Sequence, residues 1–244
     1  MVLEIEKKNG PFKTKQIWFA DFSYNVIEVD RVIFRDCKKK DDKEFNCENF
    51  TTLIIDLTQD LDAIWKKMDK SSCRYSIGRA ERDGIKIKIN QGFNDFVKIN
   101  NSFRRKKGLT GENLNIGFIK KYGTLFISEF NGEIIGGQVF LEDKNNMRWL
   151  IGASKRLEKN KERAILIGNA NRLLIWEAIK YAKAKGIKEF DFGGYLQDSN
   201  DRQKMNISIF KKSFGGELAT HYVCRKDYSK IYKLISRVLS FIKK

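Results

Sequence analysis

The sequence predicts an α/β protein whose mixed, mainly antiparallel sheet is flanked by helices. Three observations predict it. Residues 85–89 (IKIKI) alternate apolar and charged side chains, the signature of a half-buried strand. Residues 123–154 hold three β-rich segments separated by Asn131-Gly132 and Lys144-Asn145-Asn146, and Asn-Gly is a strong hairpin signal. Residues 165–185 then follow a helical period and run through Gly186 into an apolar strand pattern at 188–192.

The elements follow in chain order. Pro11 is the only proline, so Gly and Asn do most of the punctuation. Short β-branched and aromatic bursts at 17–20, 26–29 and 32–34 read as strands, and polar residues 37–49 as a loop. Residues 51–57 (TTLIIDL) read as a buried strand. Thr58 is an N-cap candidate for a helix that places Leu61, Ile64, Trp65 and Met68 on one face. A basic helix at 76–83 closes at Gly84. A second helix, 94–107, carries Phe96, Val97, Ile99 and Phe103, and ends in Arg104-Arg105-Lys106-Lys107, where cations suit the negative end of the helix dipole. Strands are expected at 123–130, 133–141, 147–154 and 188–192, with a last one at 218–225. Residues 209–217 (IFKKSFGGE) read as a basic-aromatic turn.

Composition bounds the function. The chain has 244 residues, enough for one large domain or two small ones, and its 41% hydrophobic content supplies a core. No apolar run approaches the ~20 residues of a membrane span. The start of the sequence has no signal-like apolar core, so a cytoplasmic location is expected. Cys37, Cys47, Cys73 and Cys224 lack metal-ligand spacing and are expected to be reduced; no metal site is expected.

The net charge of +17 is uneven. Residues 65–121 hold 15 Lys and Arg against five acids, and residues 228–244 hold five against none. Such a local field suits an anionic partner: nucleic acid, a phosphorylated donor or an anionic membrane. A solvated, lysine-rich surface is the plain alternative.

Common catalytic motifs are absent. There is no Gly-x-Ser-x-Gly, no phosphate-binding P-loop and no dinucleotide-type Gly-x-Gly-x-x-Gly, and the lone His221 sits in a strand pattern that suits packing. What remains are the pairs Gly136-Gly137, Gly193-Gly194 and Gly215-Gly216, and Lys211-Lys212 between Phe210 and Phe214. Gly193-Gly194 ends an apolar strand, at the carboxyl edge where open α/β sheets bind ligands. A lysine held against aromatic rings can serve as a fixed cation for an oxyanion or a phosphate.

Four segments carry a family resemblance: 74–87 (RYSIGRAERDGIKI), 95–109 (DFVKINNSFRRKKGL), 170–194 (ANRLLIWEAIKYAKAKGIKEFDFGG) and 209–216 (IFKKSFGG). Their order resembles the GNAT acyltransferase superfamily, and within it the FemABX-type peptidyltransferases and BioF2-like acetyltransferases. The resemblance implies a reduced N-terminal GNAT-like module at 1–110, a C-terminal acyltransferase module at 111–227 and a basic amphipathic helix at 228–244. It gives Lys211, supported by Phe210, the acyl-transfer role. Substrate contacts fall to Arg74, Arg79, Trp149, Gly193, Gly194 and Tyr195. Residues 155–169 lack the Arg/Gln-x-x-Gly-x-Gly/Ala loop with which acetyl-CoA enzymes cradle pyrophosphate at a helix N-terminus.

The expected activity is N-acyl transfer, without a permanently bound cofactor. The donor is aminoacyl-tRNA or acyl-CoA. The acceptor is an amine of a cell-envelope precursor such as a peptidoglycan precursor, with a lipid-linked form and peripheral contact at the inner membrane face suited to the terminal helix. Two alternatives stay open: an acetyl-CoA-dependent sugar N-acetyltransferase, and a non-catalytic nucleic-acid-binding module on the same scaffold.

Overall fold

A computed structural model describes residues 2–40, 43–109, 114–158 and 160–235. The strands are β1 (Leu3–Asn9), β2 (Phe12–Trp18), β3 (Arg31–Cys37), β4 (Asn46–Asp56), β5 (Lys86–Ile89), β6 (Gly123–Phe130), β7 (Glu133–Glu142), β8 (Asn146–Ser154), β9 (Glu189–Gly194) and β10 (Glu217–Asp227). The helices are α1 (Leu61–Lys67), α2 (Tyr75–Arg82), α3 (Phe93–Lys106), α4 (Ile116–Tyr122), α5 (Lys161–Ala184) and α6 (Arg202–Lys212). A π-turn, Lys70–Arg74, leads into α2, and a 3-10 turn, Lys155–Glu158, precedes α5. The sheet is mixed and mainly antiparallel, as the sequence predicts.

Contacts group the chain into two compact units, Met1–Thr52 with Leu218–Lys244, and Leu53–Glu217. In the first unit the strand order is β1-β2-β3-β10-β4. β1 and β2 form a hairpin, β2 runs parallel to β3, and β10 lies antiparallel to β3. Ile17, Val32, Phe34, Cys37, Phe45 and Cys224 form its core. Cys47 and Cys224 are joined in a disulfide, which corrects the expectation of four reduced thiols. These residues lie 177 positions apart, and only the strand topology brings them together. Cys37 and Cys73 are free and buried. His221 is also buried, with Nδ1 2.7 Å from Asp36 Oδ1, which fits the packing role expected for it. Residues 230–235 begin a helix whose Tyr232 packs edge to face with Phe12. The remainder of the expected terminal helix, 236–244, lies outside the described residues.

The second unit has strand order β4-β9-β8-β7-β6-β5 and helices on both faces. The two-residue period of the strands sorts the core. Phe126, Phe140, Met147 and Phe190 join Ile77 of α2 and Leu174 and Ile179 of α5. Leu125, Ile127 and Val139 point the other way, to Phe96 and Ile99 of α3 and Ile119 of α4. The β6–β7 turn takes positive φ at both Asn131 and Gly132, as a tight hairpin with the native strand twist requires. The N-cap of α1 is Asp60, two residues later than expected, while the Thr58 hydroxyl bonds Asp56 instead.

The largest departure from the sequence expectation is α6, read as part of a turn. Its pattern is inverted: Ser208 and Lys211 are buried, while Ile207 and Ile209 are exposed. An apolar stripe is how a sequence announces a docked helix, and here polar residues occupy the inward positions. Asp201 caps the helix by accepting from the Gln203 and Lys204 amides.

Candidate active site where two parallel strands part

β8 and β9 pair in parallel over three residue pairs only, Asn146–Glu189, Met147–Phe190 and Arg148–Asp191. Beyond Arg148, β8 continues to Ser154 and β9 to Gly194 with no further pairing between them among the described residues. Two features mark the parting. The β7–β8 register shifts so that Leu150 has no partner between Trp149 and Ile151. Gly193 takes φ +73°, a backbone conformation that favours glycine.

A buried ion pair sets this edge. Arg148 Nη1 donates to Asp191 Oδ2 at 2.5 Å, and the Gly193 amide donates to Asp191 Oδ1 at 2.6 Å. The carboxylate thus holds the strand at its last paired residue and directs the turn of Gly193. Both charges lie inside apolar strand patterns, which is the sequence signal that could have found them.

Lys211, in the last turn of α6, reaches the same edge. Its Nζ donates to Gly194 O at 2.6 Å and, more weakly, to Gly193 O at 3.4 Å. The ammonium also lies 5.5 Å from the centre of the Trp149 ring. Burial pushes its pKa down to about 8, partly offset by the negative charge of Asp191 and reinforced by the positive charge of Arg148. An ammonium has three donors, so one remains beyond the two glycine carbonyls. Lys212, its neighbour, faces outward and ties to Gly216 O at 3.2 Å.

Phe210 packs on Trp149 and Phe214, and Trp149 on Phe192. The structure therefore gathers Lys211, Phe210, Trp149, Gly193 and Gly194 at one strand end, with half-buried Tyr195 following Gly194. Gly194 is exposed, with open space where a side chain would stand. The other glycine pairs serve packing. A Cβ at Gly137 would meet the Phe96 ring at 2.6 Å, and one at Gly215 would meet Lys67 O at 2.4 Å.

Neither Arg74 nor Arg79 joins the contacts at this strand end. Arg79 pairs with Asp83 on an exposed part of α2. Arg74 closes the π-turn beside Cys73, whose thiol is pushed up to about 11 by burial, against the Ser213 hydroxyl and the nearby positive charges of Arg172 and Arg74. Arg172, absent from the sequence expectation, has its guanidinium 5.0 Å from the Phe210 ring.

Residues 119–204 match the acetyltransferase (GNAT) domain family, a stretch that contains β8, β9 and the point where they part. The chain carries a GNAT domain, and the protein is an acyltransferase. No curated protein matches the chain in sequence. FemX is similar in structure at 13% identity and a TM-score of 0.67, over 96% of this chain and 86% of its own. L-PGS from Bacillus licheniformis is similar at 14% identity and a TM-score of 0.59, over 100% and 86%. A conserved protein of unknown function from Bacteroides thetaiotaomicron follows at 9% identity and a TM-score of 0.55, over 92% and 83%. At these identities the likeness is one of fold, and it extends over nearly the whole chain.

Proposed function

We propose that this GNAT protein transfers an aminoacyl or acyl group from aminoacyl-tRNA or acyl-CoA to an amine of a cell-envelope component, such as a peptidoglycan precursor. One observation carries the reading: the Lys211 ammonium, buried and held on the Gly194 carbonyl where β8 and β9 part. The acceptor amine attacks the acyl carbonyl carbon. The carbonyl electron pair moves to oxygen, and the bond to the ester oxygen or the thioester sulfur then breaks. The third Lys211 donor faces the developing oxyanion, and the proton released by the amine leaves with the tRNA hydroxyl or the thiol. Positioning and charge stabilisation suffice, so no protein nucleophile is required.

The envelope acceptor rests on fold likeness to FemX and to the C-terminal domain of a putative lysylphosphatidylglycerol synthetase from Agrobacterium fabrum. Peripheral membrane contact is part of the same proposal. Ile231, Leu234 and Ile235 are exposed at the start of the terminal helix. Among the described residues no helix is long and apolar enough to cross a membrane. The proposed place of action is the cytoplasmic face, where both donors reside.

The test is transfer from labelled aminoacyl-tRNA and from labelled acetyl-CoA to a soluble peptidoglycan precursor. Turnover with one donor is expected, and Lys211→Ala should lower kcat about 100-fold or more, the usual effect of losing an oxyanion donor. Full turnover by Lys211→Ala would remove the proposed role. Equal binding of charged and uncharged tRNA, with no transfer from either donor, would favour the non-catalytic nucleic-acid module instead.

A further inference from the structure

We infer that Arg74, Arg156 and Arg172 form an anion subsite, built to take a phosphate or pyrophosphate group of the substrate beside Phe210. Three independent placements converge on it. Arg172 stands on α5, with its guanidinium over the Phe210 ring and Nη1 donating to Gly168 O at 3.3 Å. Arg156, from the 3-10 turn before α5, lays its guanidinium along the same helix face, where a Cβ on Gly168 would stand 3.5 Å from Cζ. Arg74 ends the π-turn that feeds α2, and the charges of both Arg74 and Arg172 act on the buried Cys73 thiol beside it.

The arginines are incompletely satisfied. Arg74 Nε and Arg172 Nε are closed off from solvent, and among the described residues neither has a hydrogen-bond partner. A buried donor without an acceptor is costly, and two in one cluster of like charges describe a site awaiting an acceptor. Burial lowers the pKa of Arg172, and the neighbouring Arg156 lowers it further. The carboxylate whose charge acts on Arg172 is that of Asp69, which is committed to the Ser71 and Ser72 hydroxyls and the Ser72 amide. Planar guanidinium groups are suited to bidentate phosphate recognition. The segment from Arg156 into α5 lacks the glycine-rich loop that would offer backbone amides to a pyrophosphate, and side-chain donors stand along the same segment.

The inference rests on the acyl-transfer reading for which substrate brings the anion, but not for anion binding itself. The test is calorimetric titration of the full chain with inorganic pyrophosphate. Binding is expected. Arg172→Gln and Arg156→Gln, measured separately in case one fails to fold, should each weaken it about tenfold or more, the scale of one charge-assisted hydrogen bond. Lys98→Gln, an equal charge change on the exposed side of α3, should leave it unchanged. Lys211→Ala should retain pyrophosphate binding even where transfer is lost, so failure of the two readings can be told apart. Displacement of pyrophosphate by coenzyme A, or by uncharged tRNA, would support the subsite and identify the substrate that supplies the anion. The subsite is overturned by absent binding or by equal weakening in Lys98→Gln.

Discussion

At the scale of single residues, Lys211 makes the sharpest prediction. Its folded pKa of about 8 lies below the ordinary lysine value of 10.5. Between those values the unfolded chain holds the proton more tightly, so Lys211 contributes a stability that rises with pH across that window. Activity runs the other way. If the cation holds the oxyanion, kcat loses its charge above a pH of about 8 and falls. Lys211→Arg, which cannot deprotonate in this range, should remove that limb even where the overall rate drops. A pH–rate profile at saturating substrate checks this, and a rate that keeps climbing well past that pH would assign Lys211 the role of a base. The resemblance of residues 209–216 to its family's motif implied Lys211 rather than Lys212, although both stand between Phe210 and Phe214. It could not show that Lys212 turns away to Gly216, because the two differ only in which side of α6 faces the sheet.

At the scale of elements, the hairpin β6–β7, the strand β8 and the long helix α5 were legible from period and turn residues, within a few residues at each end. Helix α6 was not, because its buried positions are polar and its exposed ones apolar. The glycine pairs also looked alike in sequence. The structure separates them: Gly193-Gly194 ends a strand at an open edge, whereas Gly215 brings the chain against α1. Gly215 has φ +80°, and its missing Cβ would lie 2.4 Å from Lys67 O. Gly215→Ala should therefore cost about 2–5 kcal/mol, combining left-handed backbone strain with overpacking. Urea denaturation measures it, and a loss below ~1 kcal/mol would mean that the contact relaxes easily.

At the scale of the whole molecule, charge and covalent linkage dominate. The basic segment at 65–121 and the terminal +5 were plain in the sequence; the disulfide Cys47–Cys224 was not. Removing it with Cys224→Ser should cost about 2–5 kcal/mol, mostly by freeing the unfolded chain. The denaturation midpoint of the natural sequence should fall likewise with reductant, and an unchanged midpoint would show that the link carries no stability. The same measurement bears on where the protein works, since cytosolic thiols are ordinarily kept reduced.

The sequence alone determined the α/β class, the succession from the β6–β7 hairpin through α5 to β9 and the resemblance to GNAT acyltransferases. These follow from side-chain period, turn chemistry and short motifs, all of them local. Tertiary structure decided the rest: that β8 and β9 part after Arg148 and Asp191, that Lys211 lies on the Gly194 carbonyl, and that Arg156 and Arg172 share one face of α5. Each of these joins groups from separate elements, and no local pattern encodes which buried polar residue will meet which partner.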